Sequence, residues 1–177
     1  MRRATLSLLL LATLIAAGSA NAGECRQRLR PLLLATTPAS DELSAVRAQC
    51  TSEADAGDAD ALYQLALFHL GLGGEWQPAA AVPMITEAAA AGVPEAQYWL
   101  GWQRESGDLI EPDQQIALGW YQRAANANHR LALARLADAY AAGELGLAVD
   151  PALAATYRAR QARCLRPELA TTGASDK

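Results

Sequence analysis

A repeat of 35 to 36 residues constrains this chain more than any other feature. Three segments align: GDADALYQLALFHLGLG from Gly57, GVPEAQYWLGWQRESGD from Gly92 and NHRLALARLADAYAAGE from Asn128. Ala61, Ala96 and Ala132 coincide, as do Leu65, Leu100 and Leu136, and the small residues Ala66, Gly101 and Ala137. Each segment is followed by a second helical pattern, in which Ala81, Ala117 and Ala154 take equivalent places, as do Met84, Trp120 and Tyr157. The i, i+3, i+4 spacing of these positions marks one buried helical stripe. A period of this length means stacked two-helix units. Small side chains recur because two helices approach closely only where little stands between them.

The boundary signals agree. Asp150-Pro151 supplies an N-cap followed by proline at the first helical position, and Pro94 and Pro112 can serve in the same way. Gly71, Gly107 and Gly143 stand where first helices end, which suits a left-handed C-terminal cap. Pro83 and Gly73-Gly74 disturb the first repeat, so its second helix is expected to start late, near Ala81. Residues 23–53 read as a capping helical pair: a short helix over Arg26 to Leu34, ending before Pro38, and a second through Cys50 that Ser40 can cap.

The pattern Ala96, Leu100-Gly101, Gly107, Asp113, Ala117, Trp120-Tyr121, Ala124-Ala125, Asn128 resembles the Sel-one-like repeat of the tetratricopeptide-like superfamily. The family's last position is usually glycine; here it is Gly57, Gly92 and then Asn128, and asparagine also tolerates the left-handed conformation. The resemblance implies an all-α fold: a right-handed α-α superhelix (solenoid) of about three two-helix repeats over 54–166, with an N-terminal helical cap.

Residues 1–22 stand apart. Arg2 and Arg3, the apolar run Leu6 to Ala17 and the site Ala20-Asn21-Ala22 have the layout of a secretory signal peptide cleaved after Ala22. The run falls short of the roughly 20 residues a spanning helix needs. A lipid anchor on Cys25 would call for a small residue before it, where Glu24 stands. The expected location is therefore periplasmic or secreted, without a membrane span once the signal is gone. In an oxidising compartment Cys25 and Cys50 can staple the two capping helices, contributing on the order of 3 kcal/mol. Cys164 is left over, several helix layers away, and reads as a small buried apolar residue rather than half of an intermolecular bridge. The tail 167–177 lacks apolar periodicity and is expected to be disordered.

Little here suggests catalysis. Lys177 is the sole lysine, so a Ser–Lys nucleophile has no place in the folded part. His69 falls at an inter-helix packing position and His129 at a solvated repeat junction, too far apart for a zinc site, and no Cys-x-x-Cys supplements them. Gly71-Leu72-Gly73-Gly74 lacks the Gly-Lys-Ser/Thr ending of a phosphate loop. Glu105 with Asp108 and Glu111 with Asp113 read as loop and first-turn charges. The expectation is a protein without catalytic site, cofactor or metal. An excess of 19 acidic over 15 basic side chains argues against nucleic acid as a partner.

The charge is uneven: 11 acids and one base from Glu53 to Asp113, against seven arginines and three acids from Arg123 to Arg166. Carried over from tetratricopeptide repeats, the concave face would present Asp60, Tyr63 and Leu67, then Glu95, Tyr98, Trp102 and Glu105, then Leu131, Ala134 and Asp138. Trp99 and Trp120 fall to packing. Aromatics beside carboxylates suit a basic, partly apolar protein or peptide. The resemblance thus implies a periplasmic adaptor or regulator that holds a partner protein in its groove. The other reading is an envelope binder of small molecules or peptidoglycan fragments, or a degenerate β-lactam hydrolase; relatives of that last kind carry paired cysteines within each repeat, which this chain lacks.

Overall fold

A computed structural model describes residues 23–36 and 39–165. The expected signal peptide over 1–22, the boundary at Pro38 and the tail after Leu165 lie outside the described residues. Among the described residues eight helices follow one another: α1 (Glu24–Leu34), α2 (Ser40–Asp55), α3 (Ala59–His69), α4 (Pro78–Ala90), α5 (Pro94–Ser106), α6 (Gln114–Asn126), α7 (Arg130–Ala142) and α8 (Pro151–Leu165). Each packs on its neighbours in sequence, and α1 also touches α3. That is an all-α helical solenoid.

The recurring small residues are where the helices meet. Ala61, Ala96 and Ala132 in the first helices, and Ala81, Ala117 and Ala154 in the second, are all buried. Between α5 and α6 the approach is close enough to require glycine: a Cβ added at Gly101 would stand 2.7 Å from the Tyr121 ring. Tyr121 is itself fully buried and anchors a core with Leu133, Leu136 and Ala124. Turns follow the expected chemistry. Asp113 and Asp150 cap α6 and α8, each Oδ1 accepting two backbone N–H groups at 2.9–3.0 Å. Gly107 and Gly143 end α5 and α7 in the left-handed region, and Asn128 takes the same conformation at φ 60° between α6 and α7.

Several local expectations fail for identifiable reasons. The second helix of the first repeat starts at Pro78, not near Ala81, because a proline already stands at a helix-starting position and Pro83 lies on an exposed side. There its missing N–H leaves only the carbonyl of exposed Ala79 without a helical partner. Pro112 precedes the cap Asp113 rather than opening α6, and its ring packs on Gly107. Ser40 is the first residue of α2, its side chain does not cap the helix, and α2 continues past Cys50 to Asp55.

Cys164 is exposed, not buried. On α6, Tyr121, Ala124 and Ala125 are buried between the helices on either side; in α8 the equivalent places hold Arg158, Gln161 and Ala162. A helix with arginine and glutamine at its stacking positions is built to face water, as a terminal unit must.

At the other end, Cys25 and Cys50 are joined in a disulfide with Cα atoms 4.8 Å apart, and both are fully buried. Helix α1 has no cap of its own; buried Glu53 of α2 accepts the Cys25 backbone N–H at 3.0 and 3.2 Å. A carboxylate at a helix N-terminus satisfies an orphan donor and favours the helix dipole.

Two glycines of the second repeat should respond oppositely to alanine. Gly101→Ala pushes a methyl group into the buried Tyr121 ring and should cost about 1–3 kcal/mol. Gly119→Ala meets nothing within 4 Å in mid-helix and should stabilise by ~0.5–1 kcal/mol. Urea unfolding followed by circular dichroism measures both.

Candidate functional site

The first helices α3, α5 and α7, with α1 beside α3, carry the side chains expected on the binding face. They fall into two clusters joined by α5. In the first, Tyr63 and Leu67 of α3 and Glu95 of α5 line a recess of about 340 Å³. Three α1 residues, Arg26, Arg30 and Leu33, and Gln64 of α3 complete its wall. None of these four was legible as a site residue, because only the fold brings the cap across the first repeat.

Arg26 dominates the electrostatics. Its Nη2 is ion-paired with Asp60 and lies 3.0 Å from Glu95 Oε2. That Glu95 oxygen is buried and accepts no directed hydrogen bond among the described residues, so the contact with Arg26 is ionic rather than well aligned. Burial raises the Asp60 pKa, with Arg26 opposing and Glu95 adding to the rise. Burial and the Glu95 charge push the Tyr63 hydroxyl up to about 12, leaving it a neutral donor.

The second cluster is a polar network. Tyr121 donates its hydroxyl to Glu105 Oε2 at 2.7 Å, and Arg135 grips the same carboxylate through Nε, at 3.0 Å from each oxygen, and through Nη2. Arg135 Nη1 also reaches Glu144 at 2.7 Å. Burial would raise the Glu105 pKa, but the bonds from Arg135 and Tyr121 outweigh it and hold the carboxyl below its ordinary value. Glu105 therefore ties α5, α6 and α7 together and is not a vacant acid. Asp138, the last of the expected acids, is exposed and lies 3.5 Å from Arg158.

The aromatics divide. Tyr98 is half-buried between Tyr121 and His129, with ring centroids 5.7 and 4.8 Å away. Trp102, one turn further along α5, is 44% exposed, and Leu131 is similarly open. Trp99 and Trp120 pack against the core of the first two repeats, as expected. One histidine reading changes. His129 is not a solvated junction residue: it caps α7, its Nδ1 accepting the Ala132 N–H at 3.3 Å, and burial lowers its pKa against a smaller opposing effect of Glu95. His69 ends α3 with Nδ1 3.3 Å from the Gln77 amide oxygen.

The Sel1 repeat family matches three successive segments, residues 59–93, 94–129 and 130–157, which together exceed half of the chain. The crystal structure of a Sel1 repeat protein from Oxalobacter formigenes is 32% identical, covers 67% of this chain and 90% of its own, and superposes with a TM-score of 0.61. The structure of c5321, a protective antigen present in uropathogenic Escherichia coli strains that displays an SLR fold, is 23% identical with a TM-score of 0.65. It covers 83% of this chain, which spans only 30% of that protein, and the likeness speaks to fold alone. No curated protein matches the chain.

The His129 cap makes stability depend on pH. A histidine whose folded pKa lies below its unfolded value of about 6.5 contributes fully above that pH, and the contribution fades as pH falls toward the folded pKa. The melting temperature should therefore drop from pH 7.5 to pH 5.5. His129→Asn keeps a capping acceptor but does not titrate, and should flatten that drop while staying within about 0.5 kcal/mol of the parent at pH 7.5. An unchanged drop in thermal melts would exclude His129 as its source.

Proposed function

Because the chain belongs to the Sel1 repeat family, whose members generally act as protein–protein interaction scaffolds, we propose that it is a non-catalytic adaptor or regulator that holds a partner protein on the concave face of its stack. The observation that carries this reading is Trp102: a tryptophan left 44% exposed on a first helix, one turn from Tyr98. Aromatic side chains offer large contact area at low entropic cost and are frequent energetic anchors of interfaces. Tyr63, Leu67, Glu95 and Asp60 extend the proposed surface toward the cap.

The partner is a protein or peptide with apolar side chains. The basic character expected from the acidic repeats needs revision. Asp60 and Glu95 share Arg26, Glu105 holds Arg135, and Asp138 faces Arg158. A basic group would have to exchange with these arginines rather than fill vacant charge. Aromatic and apolar contacts then supply most of the affinity, with a modest salt dependence.

We place the protein in an oxidising compartment of the cell envelope. The fully buried Cys25–Cys50 disulfide supports this, and no described helix is long and apolar enough to cross a membrane. The reading as a small-ligand binder draws support from the recess between α1, α3 and α5.

Trp102→Ala should weaken capture of a partner from envelope extract by at least tenfold, about 1.4 kcal/mol or more, while helicity and melting temperature stay near the parent. Quantitative pull-down beside circular dichroism checks this. Unchanged capture, or loss of helicity together with capture, would remove Trp102 as an anchor.

A further inference from the structure

The recess beside Arg26 combines groups that structural packing alone does not need. Gln64 is 5% exposed as a whole residue and lines the cavity. Its amide makes no hydrogen bond among the described residues, and unlike Glu95 Oε2 it is not sealed without a partner, so it opens on the recess. An amide open on a recess is met by water and can exchange that water for a ligand's backbone group. The other buried glutamines are satisfied: Gln97 donates to the Ala89 carbonyl and Gln103 accepts the Leu109 N–H. Arg30, one turn along α1 from Arg26, lines the same recess and has no ion pair among the described residues. Leu33, Leu67 and the Tyr63 ring supply apolar wall between them, and Leu33 is half exposed.

The charges are laid out as a dipole. Arg26 answers Asp60 and Glu95 together, which leaves one negative charge at the α3–α5 side. Arg30 leaves one positive charge on the α1 wall. A ligand carrying a carboxylate is thus oriented with that group toward Arg30 and its backbone N–H groups toward Glu95. A volume of about 340 Å³ is at the small end of ligand sites. It has room for roughly two amino-acid residues, which suits a chain end better than a strand passing through.

We propose that this recess is a subsite for the C-terminal residue of a peptide: its apolar side chain lies on Leu33, Leu67 and Tyr63, its backbone amide pairs with Gln64, and its terminal carboxylate pairs with Arg30. The proposal rests on the interaction reading only in taking the ligand to be a peptide. It names the part of the partner that is read.

The probe is acetyl-Ala-Ala-Leu with a free carboxylate, beside the same peptide with a C-terminal amide. Both are titrated into the disulfide-bonded protein and followed by two-dimensional NMR. The free acid should bind about fivefold tighter than the amide, with shifts centred on Tyr63, Gln64 and Leu67. Arg30→Gln, at an exposed position, should erase the preference between the two peptides. Gln64→Met, close in volume, should weaken both by a similar factor without changing their ratio. Equal binding of acid and amide by the parent would overturn the carboxylate assignment, and shifts confined to Trp102 and α7, or none up to 10 mM (about the weakest such contact worth naming), would overturn the subsite. Partner capture that still depends on Trp102 in that event would leave the scaffold reading standing. Capture indifferent to Trp102, with the free acid still preferred, would sink the scaffold surface and leave the recess.

Discussion

The Tyr121 ring lies against the backbone of Gly101, closer than any side chain at that position would permit. Everything in the second repeat follows from that approach. It buries the ring, brings the Tyr121 hydroxyl to Glu105, and so fixes the carboxylate that Arg135 holds from α7. A small residue in sequence thereby becomes a bond between two repeats. Ala66 and Ala137, at the equivalent places of the other helix pairs, are likewise sealed from solvent. Because contacts run between neighbours, stability is close to a sum of local interfaces, and a fault at one interface should not be repaired from afar.

The cap helix does more than close the first repeat. Its N-terminal turn is held by the disulfide and by the Glu53 carboxylate, and the next residue, Arg26, reaches two successive first helices at once. The expected groove acids Asp60, Glu95, Glu105 and Asp138 are therefore each held by one of the chain's own arginines. For the proposed scaffold role, this shifts the weight of recognition from net charge to shape, aromatic surface and a few directed polar groups. It also gives α1 a part in the proposed surface.

The stack was legible because its physics is local and periodic. Ala61, Ala96 and Ala132 repeat at the helix-pair spacing, and Gly107, Gly143, Asn128 and Asp150 punctuate it through backbone preferences that neighbours do not override. The site was legible only in part. Tyr63, Leu67 and Glu95 do come together, but Arg26, Arg30, Leu33 and Gln64 join them through a contact between α1 and α3 that no sequence period encodes. Glu105 looked like a free acid because its partner Arg135 lies 30 residues away. His129 looked solvated because a cap and a ring stack cannot be seen without Tyr98 beside it. Cys164, expected to be buried, is exposed because no described helix covers that side of α8. The signal was present in Arg158 and Gln161, which replace the apolar stacking residues Tyr121 and Ala124.

The described helices stack in order, each on its neighbours, so the first and last stand far apart and do not fold back into a closed bundle. A distance between the two ends tests it most directly. Cys164 is exposed and free, so one spin label can sit there and a second at Ser44→Cys on the exposed side of α2, with Cys25 and Cys50 left in their disulfide. With helix layers ~8–10 Å thick, the stack requires a single population of separations beyond about 30 Å in pulsed dipolar spectroscopy. Separations near 20 Å or below, on the order of two such layers, would mean the ends meet, and the open face proposed for the partner would not exist.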